Sequence, residues 1–266
     1  MQLFITHATH YTYDTPVVYA LQKARLRPSG SKLQEIEAWD VTVEGGKIEA
    51  GYRDHYGNNV DLISAQPGTQ SLVITAQGTI NTHDLAGVLG PVYGRAPLWH
   101  FRQVTPVTTL TEDTAAPFLK VLGAAKNPLE GGHALCHEIL SKVTYDTDKT
   151  HAATTAQEAI AIGHGVCQDH SHIFIAVARQ AGLPARYVSG YLRIDGRVQQ
   201  DANHAWAEVH VPDLGWVGFD VSNGISPDDR YVRLAVGRDA RDAAPISGLR
   251  MGSGGEELMV SLQVQQ

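Results

Sequence analysis

Over the first 80 or so residues, apolar side chains come in short runs rich in Val, Ile, Thr, Tyr and Trp, and no stretch has helical spacing. This pattern predicts strands at 2–13, 17–26, 36–43, 47–53, 59–63 and 71–80. Trp39, Val41 and Val43 alternate with polar residues, as in a strand buried on one face. Glu44-Gly45-Gly46, Tyr56-Gly57-Asn58 and Gln66-Pro67-Gly68 supply turn chemistry between the runs. Residues 1–85 are therefore expected to form an antiparallel β unit, with 81–105 reading as a connection punctuated by glycine and proline.

The period then changes. Residues 114–125 and 130–143 carry apolar positions at helical spacing, among them Leu135, Ile139 and Val143. Thr155 and Glu158 form a capping-box pattern that opens a short helix through Ile162. Gly163-His164-Gly165-Val166 breaks the chain, and a further helix is predicted from near Cys167 to Ala181, where Gly182 and Pro184 stop it. Strands return at 185–194 and from 198 onward, flanking a hairpin signal at Asp195-Gly196. Others are predicted at 203–211, 216–221 and 257–264. Helices followed by an antiparallel sheet give an α+β fold over 86–266, behind the β unit.

A chain of 266 residues, 43% hydrophobic, can bury a core without disulfides or structural metals. Lys and Arg number 21 against 28 Asp and Glu, a net charge of −7, which argues against a nucleic-acid partner because such a surface displaces no counterions from phosphates. Cys136 and Cys167 are the only cysteines, too few for a disulfide framework or a four-cysteine zinc site. Met1–Thr6 has neither a basic n-region nor a long apolar h-region, and no run of about 18 apolar residues occurs. A cytoplasmic location with no membrane partner is the expectation.

Chemistry concentrates around Cys167. It lies where a glycine-containing loop meets the first turn of a helix, a position at which unpaired N–H groups favour a thiolate. A free cysteine is more commonly a small buried hydrophobe, so the case depends on partners. His204 opens one predicted strand and Asp220 ends the next. A nucleophilic thiol needs an imidazole to take its proton, and the imidazole needs a carboxylate to orient it. A two-residue turn at Asp213-Leu214 would pair 211 with 216 and put Asp220 on the face away from His204. A three-residue loop, Pro212-Asp213-Leu214, pairs 211 with 215, sets Asp220 opposite Trp206 and makes His204 its diagonal neighbour at about 7–8 Å between backbones. The triad therefore predicts an odd loop, or a bulge at Gly215.

Four segments in order, Gly163-His164-Gly165-Val166-Cys167-Gln168-Asp169, Ala185–Tyr191, His204-Ala205-Trp206-Ala207-Glu208 and Gly215–Asp220, make the chain resemble the bacterial transglutaminase-like (cysteine protease-like) proteins. The N-terminal stretch is similar to the β domain preceding the core in that family, through Tyr13–Pro16, Arg25-Leu26-Arg27-Pro28 and Tyr52–Asn58. Ala235–Asp239 and Ala244–Gly248 also match. The resemblance implies a papain/transglutaminase-like core over 86–266, with Cys167 as nucleophile, His204 as base and Asp220 as orienting carboxylate. Two departures lie beside the triad. Val221-Ser222-Asn223 replaces the family's usual Pro-Thr-Asn, and His170 stands where an aromatic residue is usual.

Other residues carry weaker signals. Tyr145, with the Cys167 N–H, is a candidate oxyanion donor. Trp206 and Asp169 are candidate substrate-lining residues, although core packing for the aromatics Trp206 and Trp216 and a helix-start role for the carboxylate are commoner. Arg186 and Arg238 can read an acidic substrate group, although structural arginines are commoner. His133, Cys136 and His137 share a helix face at metal-ligand spacing without an HExxH arrangement or a third ligand, and His164, His170 and His172 crowd Cys167. No metal or cofactor is expected. The expected activity is thiol-dependent acyl transfer on a peptide or protein amide, with hydrolysis favoured. Transfer to an amine, a non-catalytic binding module of the same fold and a metal hydrolase are the rivals.

Overall fold

The computed structural model describes residues 1–91, 96–200 and 202–266. Leu3, Ile5, His7, Thr9, Tyr11 and Tyr13 of β1 (Gln2–Tyr13) point inward, and the residues between them are more exposed. β2 (Tyr19–Arg27), β3 (Gln34–Glu44), β4 (Gly46–Arg53), β5 (Asn59–Ala65) and β6 (Ser71–Thr82) follow, close to the expected bounds. Next come β7 (Val88–Gly90), α1 (Glu112–Ala124), α2 (Pro128–Lys142), β8 (Thr144–Tyr145), α3 (Ala156–Ile162), β9 (His164–Gly165) and α4 (Cys167–Gln180). The chain closes with β10 (Ala185–Leu192), β11 (Gln199–Gln200), β12 (His204–Val211), β13 (Gly215–Phe219), β14 (Tyr231–Gly237), β15 (Ile246–Met251) and β16 (Glu256–Gln265).

The N-terminal unit has two sheets, ordered β11-β16-β1-β6-β3 and β15-β2-β5-β4. The second unit has one main sheet, β14-β10-β12-β13-β7, with the short parallel pair β8-β9 beside it. Four helices precede β10, so the fold is α+β with a β region ahead of the core.

Several expectations need correction. The connection at 81–105 contains β7, which hydrogen-bonds to β13; residues 92–95 of it lie outside the described residues. β14 and β15 form where no strand is predicted. Asp195-Gly196 does make a turn, with Ile194 bridged to Arg197, but the expected return strand does not run back along β10. Only Gln199 and Gln200 are extended, and they pair with β16 in the other unit's sheet. Position 201, also within that expected strand, lies outside the described residues. Although the expected division puts 246–265 with the second unit, β15 pairs with β2 and β16 pairs with β1. An open edge on β1 would expose a row of unpaired backbone groups, and β16 covers it.

Thr155 and Glu158 form the expected capping box on α3, and Gly163 ends that helix at φ +73°. α4 is buried on nearly every side and lies across β10 and β12, with α1, α2 and α3 around it. Its Ile173, Phe174 and Val177 share a cluster with Leu135, Ile139, Val209 and Phe219. Each such side chain contributes about 1.5–3 kcal/mol on burial. A second cluster fills the β unit and includes Tyr191, Val232 and Leu234 from the main sheet of the second unit, so the two units share a core.

Candidate active site

Cys167 is the first residue of α4, and the site is assembled where that helix end faces β12. Its amide is among the first four of the helix, which have no acceptor within it. The extended Val166 precedes it, and the Val166 N–H donates to Asp169 Oδ2 at 2.9 Å. Cys167 is partly exposed, unlike the fully buried Cys136.

The hairpin after His204 has the register that the triad needs. Val211 pairs with Gly215, leaving a three-residue loop, and Ala207 pairs with Phe219. Asp213 and Gly215 have φ of +66° and +81°. A Cβ at Gly215 would also collide with the Gly90 backbone, so the position needs glycine twice over. Asp220 follows on the face of His204, and Asp220 Oδ2 lies 2.6 Å from His204 Nε2.

Three donors converge on that carboxylate oxygen. Tyr231 Oη and Asn223 Nδ2 each donate to Asp220 Oδ2 at 2.7 Å, beside the imidazole. Burial alone would raise the Asp220 pKa. The hydrogen bond from His204, that residue's charge, and the bonds from Tyr231 and Asn223 hold it below the usual carboxylate range instead. For His204, burial pulls the pKa down. Its hydrogen bonds to Asp220 and to Cys167, with the charges of both, outweigh this and raise it from 6.5 to about 10. With Nε2 turned to Asp220, the other ring nitrogen is left for Cys167. Trp206 stacks beside the imidazole at 6.4 Å and meets Tyr231 edge-on at 5.6 Å. Gly190 makes room for that indole, since a Cβ there would lie 2.5 Å from it.

A cavity of about 620 Å³ opens over Cys167 and His204. Tyr145, half exposed, lines it, and burial with the Cys167 and Asp220 charges raises its phenol pKa above the ordinary value. It shares that lining with Cys167. Trp206 and Asp169 do not line this cavity as expected. Trp206 is 2% exposed and acts behind the imidazole. Asp169 is 1% exposed; its Oδ2 accepts from Val166 N–H and the Thr150 hydroxyl, so it holds the loop before Cys167.

The histidines near Cys167 have separate tasks. His170 bridges Ser222 Oγ at 2.9 Å and the Val143 carbonyl at 3.0 Å. The two departures from the family pattern therefore touch each other and tie α4 to the loop that follows Asp220. His172 Nε2 accepts from the Ala240 N–H at 3.1 Å, and His164 lies 3.6 Å from Asp146. His133 packs against the Phe219 ring, and burial lowers its pKa. Among the described residues no group of three or more His, Cys, Asp or Glu is placed to hold a metal.

Arg186 and Arg238 are structural arginines rather than cleft residues. Arg186 is buried, pairs with Glu208 at 2.6 Å and stacks 3.8 Å over Trp216, whereas Arg238 pairs with Asp242. Among the described residues, the arginines that line the cavity are Arg197 and Arg241, which sequence reasoning missed. Tyr231 was missed with its strand. The short run Tyr231-Val232-Arg233-Leu234-Ala235-Val236, rich in aromatic and β-branched residues, is the signal that points to it. No helix of the described residues is long and apolar enough to cross a membrane.

Comparison with known proteins agrees with this architecture. The transglutaminase-like superfamily core matches residues 118–221, and the bacterial transglutaminase-like N-terminal region matches residues 3–81. An uncharacterized protein of Mycobacterium leprae is 26% identical over 272 residues, covering 98% of this chain and 97% of its own. One from Mycobacterium tuberculosis is 30% identical over 278 residues, covering 92% and 86%. A protein-glutamine gamma-glutamyltransferase of Pseudomonas aeruginosa is 33% identical over 97 residues, which is 32% of this chain and 14% of that protein. A solved structure from Cytophaga hutchinsonii, described as a candidate cysteine protease, shares the fold. It covers 100% of this chain and 90% of its own, with a TM-score of 0.79 and 22% identity. With its core, its N-terminal region and its fold all accounted for in this way, the chain belongs to the transglutaminase-like superfamily, carrying the bacterial transglutaminase-like N-terminal region ahead of the core.

Proposed function

We propose that this protein is a thiol acyl-transfer enzyme that hydrolyses a peptide or isopeptide amide through Cys167, His204 and Asp220. The observation that carries the proposal is His204, an imidazole held 2.6 Å from a buried carboxylate and lining the same open cavity as Cys167.

The chemistry follows from that pairing. His204, its pKa raised to about 10 against burial by its bonds to Asp220 and Cys167, carries the proton for the Cys167 sulfur, which reacts as the thiolate. The thiolate attacks the amide carbonyl, and the carbonyl π electrons move to oxygen. The Cys167 N–H at the helix start and the Tyr145 hydroxyl are the donors for that oxyanion. As the C–N bond breaks, His204 gives its proton to the leaving nitrogen and a thioester remains. The neutral imidazole then takes a proton from water, whose oxygen attacks the thioester. The C–S bond breaks, the acid product leaves and the thiolate–imidazolium pair returns. Asp220 keeps the ring oriented throughout, with Tyr231 and Asn223 fixing the carboxylate.

Transfer to an amine is the second reading, favoured by the partial match to the Pseudomonas aeruginosa gamma-glutamyltransferase. It differs only in which nucleophile resolves the thioester. Incubating the full chain with a peptide library, with rapid acid quench and peptide mapping, should give an acyl adduct on Cys167 that is absent from Cys167→Ala. In ¹⁸O-labelled water, hydrolysis places one ¹⁸O in the acid product, whereas added cadaverine is incorporated if transfer prevails. Product formation that survives Cys167→Ala would overturn the proposal.

A further inference from the structure

Two crossings between the units form walls of the cavity. The first, after β10, contributes Ile194, Arg197, Gln200 and Asn203 on its way to the sheet of β16 and back to β12. The second, after β14, contributes Ala240, Arg241, Ala243 and Pro245 on its way to β15. Each crossing brings one arginine to the cavity. Among the described residues, the lining includes two arginines and His204 and no aspartate or glutamate. Its described lining thus carries basic side chains and no acidic one, in a chain of net charge −7.

The wall bearing Arg241 is fixed in place. Asp239 Oδ1 accepts the N–H groups of Arg241 and Asp242 at 2.9 and 3.2 Å, and Ala240 N–H donates to His172 on the nucleophile helix. The Arg241 side chain is exposed, and no carboxylate pairs with it among the described residues. Nearby carboxylates have other partners: Asp242 holds Arg238 and Tyr56, Asp195 holds Arg193, and Asp146 faces His164. On the other crossing, Arg197 is held by its turn, with its N–H donating to the Ile194 carbonyl and its Nε to the Gln199 carbonyl. Its charge reaches Tyr145 across the cavity.

We propose that the cleft selects an anionic amide donor, an acidic peptide with a free carboxylate a few atoms from the scissile amide, held by Arg241. This rests on the reading of Cys167 as nucleophile, but its test does not need turnover. A guanidinium binds a carboxylate through two parallel N–H bonds, and a concave cationic site raises the local concentration of anions about 10-fold or more.

The experiment compares alkylation of Cys167 by N-bromoacetyl-glutamate and by the corresponding neutral diamide, at low salt and pH 7. In each, sulfur displaces bromide, and peptide mapping gives the rate at Cys167. The dianion should react about 10-fold faster than the diamide in the wild type. The His204 charge is offset by Asp220 and the Cys167 sulfur, so the arginine variants decide the matter. Arg241→Gln should cut the ratio about 3- to 10-fold, Arg197→Gln should cut it less, and Arg241→Lys, which keeps the charge but not the two parallel bonds, should retain only part of it, all with melting temperatures near wild type. Added salt at 0.5 M should shrink the wild-type ratio. A wild-type ratio of one or less, or a ratio unchanged in both glutamine variants, would overturn the proposal. Failure of the acyl-enzyme reading would appear elsewhere, as an intact preference for the anion with no acyl adduct from any peptide.

Discussion

Two histidines, one buried in the β unit and one lining the cleft, show what the cleft adds to an ordinary interior. In the β unit, His7 is 2% exposed and its ring nitrogens face the hydroxyls of Tyr191, at 2.9 Å, and Thr9. Both partners are neutral, so burial decides the matter and lowers the pKa to about 4. In the cleft, His204 is also largely enclosed, but its partners are Asp220 and Cys167, and its pKa rises to about 10. The contrast shows that burial alone makes an imidazole inert. A buried carboxylate on one nitrogen and a thiol on the other make a cation suited to acid–base work.

The sharpest break in that comparison is Cys167→Ala. Turnover of any peptide found to acylate the protein should fall by about 10⁴-fold or more, with the melting temperature nearly unchanged because the thiol is partly exposed. Cys136→Ala, in a fully buried position, should instead cost about 1–3 kcal/mol of stability by denaturant titration. If Cys167→Ala behaves like a core truncation, the nucleophile assignment fails.

Asp220→Asn should convert the cleft histidine toward the interior type. Rate profiles should show kcat lowered by about 10²–10⁴-fold. The alkaline limb, set near pH 10 by loss of the imidazolium, should move to lower pH. An unmoved limb would mean that the carboxylate does not sustain the charge. Tyr231→Phe removes one of three donors to the same oxygen, so a smaller loss is expected, about 3- to 30-fold in kcat.

The smallest effect on activity belongs to His7. His7→Gln should leave kcat unchanged while altering the pH dependence of stability. The folded pKa of His7 lies below the unfolded value of 6.5, so its contribution is present above pH 6.5 and is lost as pH falls through about 4. His204 has the opposite sign: its contribution is full below pH 6.5 and is lost as pH rises through about 10. Melting curves of His7→Gln between pH 6.5 and 4 should be flatter than those of wild type. Some slope should persist, because His172 is also held near 4 by burial.

Local grammar made much of this legible in the sequence. The Thr155–Glu158 cap, the stop of α3 at Gly163 and the strand alternation all depend on neighbouring residues. The register at Pro212-Asp213-Leu214 was legible for a different reason, since parity along two strands decides which side chains share a face. Long-range placement was not legible. Nothing near 246–265 indicates that β15 and β16 return to β2 and β1, or that Gln199 joins β16 instead of running back along β10. The same blindness exchanged the arginines. Arg186 lies in a strand with strong core signals and is neutralised by Glu208, whereas Arg197 and Arg241 lie in crossings whose course depends on the assembled sheets. Asp169 and Trp206 were close to the site in sequence, but one secures the loop before Cys167 and the other backs the imidazole.

The most direct test of the central claim is NMR titration of ¹⁵N-labelled histidine rings, with His7 and His204 assigned by single substitution. The account predicts that His204 stays protonated until the pH approaches about 10 and that His7 stays neutral until the pH approaches about 4. A His204 resonance that titrates near or below the ordinary value of 6.5, alongside an intact Asp220, would contradict it.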